Sequence, residues 1–197
     1  RKMIVKFSDY EIITPDLVDK IKKALSASPE YTEAIFSKRG AKEWAESVSG
    51  LRALLLALKE EKINSHDVKI KRLPGGKPVF ENLPYYFNIS HSCGRAVCAL
   101  SQKEVGVDIE FIKKKRSFDV IAKNFFSDGE QQRFRAAKNK NEEFYRIWTR
   151  KEALLKMNGE GIEFGKLKNI DTFGYDGAEF TEIRRGLYLV SVCEKNN

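Results

Sequence analysis

The sequence predicts an α+β fold, and three observations carry that prediction. Helical periodicity and strand alternation occur on both sides of Gly106, so each half holds helices and strands and two similar subdomains are allowed. The strand-like runs are bounded by turn residues, most clearly Leu73-Pro74-Gly75-Gly76-Lys77-Pro78. The chain has 197 residues and 42% hydrophobic content, enough to bury a real core as one large domain or two small ones. Identity between the halves is too weak to mark a repeat.

In chain order, Met3 to Phe7 reads as a short strand. Thr14-Pro15-Asp16 starts a helix, with Thr14 as N-cap and proline at the first helical position, where a missing N–H costs nothing. Leu17, Ile21, Ala24 and Leu25 then share one face. Ser28-Pro29 restarts a helix through Tyr31 and Ile35. The longest helix is expected from Ala41 to Lys62, with Trp44, Val48, Leu51, Leu55 and Leu58 as its apolar stripe. Arg52 lies beside that stripe, and Lys38 and Arg39 precede it; a solvated face would also explain these three cations.

Val68-Lys69-Ile70 reads as a strand before the glycine-rich turn. Tyr86 to Ser90 alternates, and a second strand runs from Arg95 to Leu100. The cluster Asn88, Ser90, His91 and Ser92 is unusual between two apolar strands; a hairpin end explains Ser92 better than His91. After Gly106–Glu110 comes Phe111-Ile112-Lys113-Lys114-Lys115-Arg116-Ser117-Phe118, four consecutive cations flanked by apolar residues. This suits a solvated linker or a docking surface. Helices follow: Asp119 to Phe126, one capped by Ser127 with Glu130 as a capping box, and Asn141 to Met157, ended by Asn158-Gly159. Glu160 to Cys193 reads as strands and turns, Leu187 to Val192 most clearly.

No apolar run approaches the roughly 20 residues that span a bilayer, and Arg1 to Val5 does not resemble a signal peptide, so no membrane association is expected. Three cysteines without a CxxC fit a reducing cytoplasm, not a disulfide framework. His91, Cys93 and Cys98 do not have standard zinc spacing. Lys and Arg number 36 against 28 Asp and Glu, for a net charge of +8. This balance suits an anionic partner: a nucleotide, a nucleic acid or an acidic protein. Nucleic acid is disfavoured, because no helix-turn-helix, zinc finger or aromatic RNA-binding motif is present.

The chemistry concentrates at Gly106-Val107-Asp108-Ile109-Glu110. A period of two puts Asp108 and Glu110 on one face and Val107 and Ile109 on the other. Such a carboxylate pair is costly unless a cation or hydrogen bonds receive it. The second concentration is Trp148-Thr149-Arg150-Lys151-Glu152-Ala153-Leu154-Leu155-Lys156, where Glu152 and Lys156 stand a helical turn apart. They form an ordinary ion pair, or Glu152 joins Asp108 and Glu110 while Lys156 faces an anionic ligand. Three carboxylates with flanking lysines suit a Mg2+ shared with a phosphate. A P-loop or kinase loop, expected of other phosphotransferases, is missing.

GVDIE (Gly106–Glu110) and the later WTRKEALLK (Trp148–Lys156) resemble the signature pair of the 4'-phosphopantetheinyl transferases. GGKPVF (Gly75–Phe80), FNISHS (Phe87–Ser92) and Phe125-Phe126-Ser127 with Glu130 are similar to the larger, monomeric subclass that activates surfactin synthetase. The motifs cover roughly Lys69 to Ile162. Arg52 resembles the family arginine that meets the 3'-phosphate of coenzyme A, and Lys38 and Arg39 resemble cations that assist it.

The resemblance implies two pseudo-symmetric α/β halves packed side by side with the active site in the cleft between them. Residues 1–102 would bind coenzyme A; residues 103–197 would carry the metal site and the docking surface. It implies transfer of phosphopantetheine from coenzyme A to a serine of an acyl or peptidyl carrier protein, releasing adenosine 3',5'-bisphosphate. Asp108, Glu110 and Glu152 would ligate Mg2+, with Mn2+ as the alternative. Lys156 and Lys151 would hold phosphate oxygens, His91, Arg52 and Arg39 the 3'-phosphate, and Lys77 and Ser90 the nucleotide or phosphate. Glu152 would be the base. An acidic carrier would dock near Phe111, Ile112, Lys113, Lys114, Lys115 and Arg116, and the protein would be a cytoplasmic monomer.

Overall fold

The computed structural model describes residues 2–114, 117–159 and 164–196. Strand β1 (Ile4–Asp9) opens the chain and is followed by α1 (Pro15–Ala24), α2 (Pro29–Phe36) and α3 (Ala41–Glu60). The hairpin β2 (Ile70–Arg72) and β3 (Pro78–Phe80) leads to β4 (Tyr86–Ser92), β5 (Arg95–Ser101) and β6 (Val105–Phe111). Then come α4 (Asp119–Phe125), α5 (Asp128–Ala136), α6 (Lys140–Asn158), α7 (Phe164–Leu167), β7 (Ala178–Arg185) and β8 (Tyr188–Lys195). The α+β expectation holds. Several boundaries move by one or two residues, among them the longest helix, which stops at Glu60, and the strand expected at Val68, which begins at Ile70; the stretch after Glu160, read as strands and turns, also holds the short helix α7.

The local signals act as read. Thr14 Oγ1 accepts from Leu17 N at 3.2 Å, capping α1 with Pro15 at its first position. Ser127 and Glu130 form both bonds of a capping box at α5. Gly159 ends α6 at φ 72°, a left-handed conformation that costs glycine little. Ser28 does more than start a helix: its Oγ donates to Val68 O at 2.7 Å and accepts from Ile70 N at 2.8 Å, tying α2 to β2.

Two antiparallel three-stranded sheets organise the chain, ordered β1-β5-β4 and β6-β8-β7, and β2-β3 forms a separate pair. Helix α3 buries Val48, Leu51, Leu54 and Leu58 against Ile4, Phe87, Cys98 and Leu100 of the first sheet. Helix α6 packs Ala153, Leu154 and Met157 with Ala178 and Cys193 of the second. Between the sheets lie Val97 and Ala99 from β5, Val107 and Ile109 from β6, and Val190 and Val192 from β8. Strand alternation therefore turns Val107 and Ile109 into the core shared by the sheets and leaves Gly106, Asp108 and Glu110 facing α6.

Gly106 sets how closely α6 can lie. A Cβ there would stand 2.0 Å from Ala153 O and 2.4 Å from Met157 N, so any side chain would push the helix away. Polar side chains join β4 to β6. Asn88 Oδ1 accepts from Val107 N at 2.9 Å, Ser90 Oγ from Ile109 N at 3.4 Å, and Ser92 Oγ from Phe111 N at 3.2 Å. Three side chains on one face of β4 thus satisfy alternate N–H groups of β6. The polar cluster is a seam, and a hairpin end accounts for none of these bonds.

Candidate active site

Beta-strand β6 brings two carboxylates to this seam and α6 brings a third. Asp108 is 5% exposed and Glu152 8%. Ser90 Oγ donates to Asp108 Oδ1 at 2.9 Å, and Ser92 Oγ donates to Glu110 Oε2 at 3.1 Å. Lys156 Nζ donates to Asp108 Oδ1 at 2.6 Å and to Ser90 Oγ at 2.9 Å. Lys156 therefore pairs across the seam with Asp108, not along its helix with Glu152. Asp108, Glu110, Glu152, Lys156 and Ser90, separated by up to 66 residues, meet at one place.

The electrostatics reflect crowding of like charge. Burial first, then the Asp108 charge, pushes Glu152 up to about 7; Lys156 pulls the other way. The same two causes raise Glu110, with Ser92 opposing them. Asp108 Oδ2 is buried without a hydrogen-bond partner among the described residues. An orphaned carboxylate oxygen beside two raised carboxyls is a donor set that suits a hard, oxygen-seeking cation such as Mg2+. Among the described residues no three His, Cys, Asp or Glu side chains are grouped closely enough to hold an ion as they stand. The Lys156 ammonium already sits on Asp108.

His91 follows Ser90 and so faces the other way, toward α3. Its Nδ1 lies 3.4 Å from Glu46 Oε2. Burial lowers its pKa, while Glu46 raises it and Lys156 and Lys38 lower it. The ring lines a cavity of about 200 Å³ with Lys38, Arg72, Tyr31 and Asn88. Arg72 and Glu46 had no motif to mark them. Asn88 had a signal, since it continues the polar alternation of Ser90 and Ser92.

Four expected ligand contacts are placed elsewhere. Arg52 Nη1 donates to Ser8 Oγ at 3.3 Å, so it joins α3 to β1. Arg39 is exposed and does not line the cavity, although Lys38 does. Lys77 donates its ammonium to Met157 O, closing the C-terminus of α6, where exposed carbonyls attract a cation. Lys151 is 1% exposed; its Nζ pairs with Glu130 Oε2 at 2.7 Å and donates to Leu167 O and Ile170 O at 2.7 and 2.6 Å. Adjacent helix positions point about 100° apart, which separates Lys151 from Glu152.

The stretch expected to dock a partner is only partly described, since Lys115 and Arg116 lie outside the described residues. Phe111 is half-buried against Tyr188, and Ile112 packs toward the Phe118 and Phe126 cluster. Lys113 and Lys114 are exposed. The exposed apolar residues nearby are Leu187, whose carbonyl accepts from Ile112 N at 2.7 Å, and Val120, 73% exposed.

Fold and site together define a mixed α+β protein with a carboxylate–lysine cluster at the seam between two sheets. Residues 104–197 match the family described as the 4'-phosphopantetheinyl transferase superfamily. The chain is similar to 4'-phosphopantetheinyl transferase Sfp of Bacillus subtilis (strain 168), 36% identical over 108 residues, covering 53% of this chain and 47% of that protein. It is 35% identical over 103 residues to 4'-phosphopantetheinyl transferase HetI of Nostoc sp., covering 49% and 43% of the two chains. It is 41% identical over 88 residues to 4'-phosphopantetheinyl transferase AcpT of Salmonella typhi, covering 43% and 46%. The matched region spans about half the length of these curated relatives. The comparisons agree with the resemblance read from the motifs: residues 104–197 are similar to the 4'-phosphopantetheinyl transferase superfamily.

Proposed function

We propose that the protein transfers 4'-phosphopantetheine from coenzyme A to a serine of an acyl or peptidyl carrier protein. The observation that carries this reading is the convergence of Asp108, Glu110 and Glu152 with Lys156 at the seam. The serine oxygen attacks the β-phosphorus, the new P–O bond forms, and the pyrophosphate bond breaks. Adenosine 3',5'-bisphosphate leaves. Glu152 takes the serine proton directly or through a water. Lys156 moves from Asp108 to the phosphate oxygens as they arrive, and Ser90 remains to orient both. Asp108, Glu110 and Glu152 would hold Mg2+, or Mn2+, which supplies charge neutralisation at the pyrophosphate when bound. His91, Lys38 and Arg72 would receive the 3'-phosphate.

In this reading the two halves are pseudo-symmetric. Each three-stranded sheet takes one strand, then, after helices, a hairpin, in the order first, last, middle; the first half adds the separate pair β2-β3. Residues 1–102 hold the nucleotide and residues 103–197 hold the metal and the carrier, with the active site in the cleft between them. The carrier is acidic and meets Lys113 and Lys114, with Leu187 and Val120 as apolar contacts. The protein acts as a cytoplasmic monomer. Among the described residues no helix is long and apolar enough to cross a membrane.

The test is incubation with coenzyme A, Mg2+ and several apo carrier proteins, read by intact mass. A phosphopantetheine adduct on a carrier is expected. No adduct on any carrier would overturn the reading.

A further inference from the structure

Glu46 is a buried carboxylate that no step above uses. It lies on α3, 9% exposed, and its nearest basic neighbours are His91 at 3.4 Å and the largely exposed Lys42 at 3.8 Å. Its place follows from Gly50, one turn further along α3. A Cβ at Gly50 would stand 2.7 Å from Ile89 Cγ2, so the helix presses directly on β4 there. Ile89 and His91 share one face of β4, and the close approach brings Glu46 against the ring.

The arrangement has a direction. Glu46 does not line the cavity that His91 lines. The carboxylate lies at Nδ1, which leaves Nε2 to a different partner, as a donor once that partner's negative charge keeps the ring protonated. The charged groups facing the ring are Glu46 of α3, Lys38 before it, and Lys156 of α6. Both lysines oppose a positive imidazole, as does burial; Glu46 alone among the charges favours it.

Resting on the transferase reading, we propose that Glu46 is a positioning residue: it holds the His91 ring through Nδ1, so that Nε2 is presented to the phosphomonoester of the donor nucleotide. A carboxylate within a cation-lined pocket would otherwise oppose that anion. Its place outside the lining is why it acts through the histidine.

The experiment compares coenzyme A with dephospho-coenzyme A, which lacks the 3'-phosphate, by steady-state transfer and by calorimetric binding to the full chain. Glu46→Gln should lower the preference for coenzyme A roughly fivefold, as expected when a charge-assisted hydrogen bond is weakened rather than deleted. The change should appear in KM and not in kcat. In a His91→Gln background the same substitution should change nothing further. An unchanged preference, a stronger preference for coenzyme A, or additive losses in the double variant would each overturn the proposal. Glu46→Asp keeps the charge and should retain part of the preference; a loss as large as that of Glu46→Gln would also overturn it, and this variant serves if Glu46→Gln does not fold. Absence of transfer by the wild-type chain would defeat the transferase reading, whereas calorimetry with the two donors would still decide the role of Glu46.

Discussion

Helix α6 carries two buried glutamate neighbourhoods on different faces, and they have opposite designs. Around Glu130, the carboxylate accepts from Ser127 N at 2.9 Å and from Thr172 N and Oγ1 at 3.0 and 2.8 Å, and pairs with Lys151 at 2.7 Å. Every oxygen is satisfied, and the cluster ties α5, α6 and the segment at Leu167–Phe173 together. Around Glu152, three carboxylates crowd together, Lys156 pairs with Asp108, and Asp108 Oδ2 is buried without a hydrogen-bond partner among the described residues. The first neighbourhood is a structural tie. The second is left partly unsatisfied, as the proposed ligand site requires. Burial of charge alone does not tell them apart; the completeness of the hydrogen bonding does.

The sharpest way to break this comparison is activity. Glu152→Gln should reduce transfer about 10²- to 10⁴-fold, the usual contribution of a general base, with little loss of fold. Retained transfer would place the base elsewhere. On the other face of the helix the expectation reverses. Lys151→Met leaves Glu130 buried without its cation and should cost roughly 3–5 kcal/mol in denaturant unfolding. If stability were kept and coenzyme A binding lost, Lys151 would belong to the ligand site after all.

At the seam, Asn88→Leu leaves Val107 N unpaired and should cost about 1–3 kcal/mol, measured the same way. A neutral result would mean that the side-chain ladder contributes nothing to joining the sheets. A further effect is on pH dependence. Glu152 is raised to about 7 from 4.5 by folding, so its neutral form is favoured in the folded state. Below 4.5 it is protonated in both states, and its contribution is intact. Between 4.5 and 7 the unfolded chain ionises first and stability falls; above 7 the loss is constant. Glu152→Gln should flatten that part of the stability curve, and an unaltered slope would count against the raised pKa.

Much of this was legible in the sequence where the signal is short-range. Thr14, the Ser127–Glu130 box and Gly159 announce helix ends because each cap bonds to backbone within a few residues. The facing of Asp108 and Glu110 follows from strand alternation alone. The intramolecular partners of Arg52, Lys77 and Lys151 were not legible because they lie 44, 80 and 21 residues away, at Ser8, Met157 and Glu130, where periodicity carries no information. Ser90 and Ser92 were read as a polar cluster, but their use as acceptors for the edge of β6 depends on how two sheets meet.

The class of fold, the helix caps, the alternation that pairs Asp108 with Glu110, and the motifs that resemble those of the transferases follow from the sequence alone. Only the tertiary structure decided which charges meet: Lys156 with Asp108, Lys151 with Glu130, Glu46 with His91. The reason is physical. Local geometry is set by backbone dihedrals over a few residues. The partner of a buried charge depends on how closely two elements can approach, and here bare glycines at positions 50 and 106 set that approach.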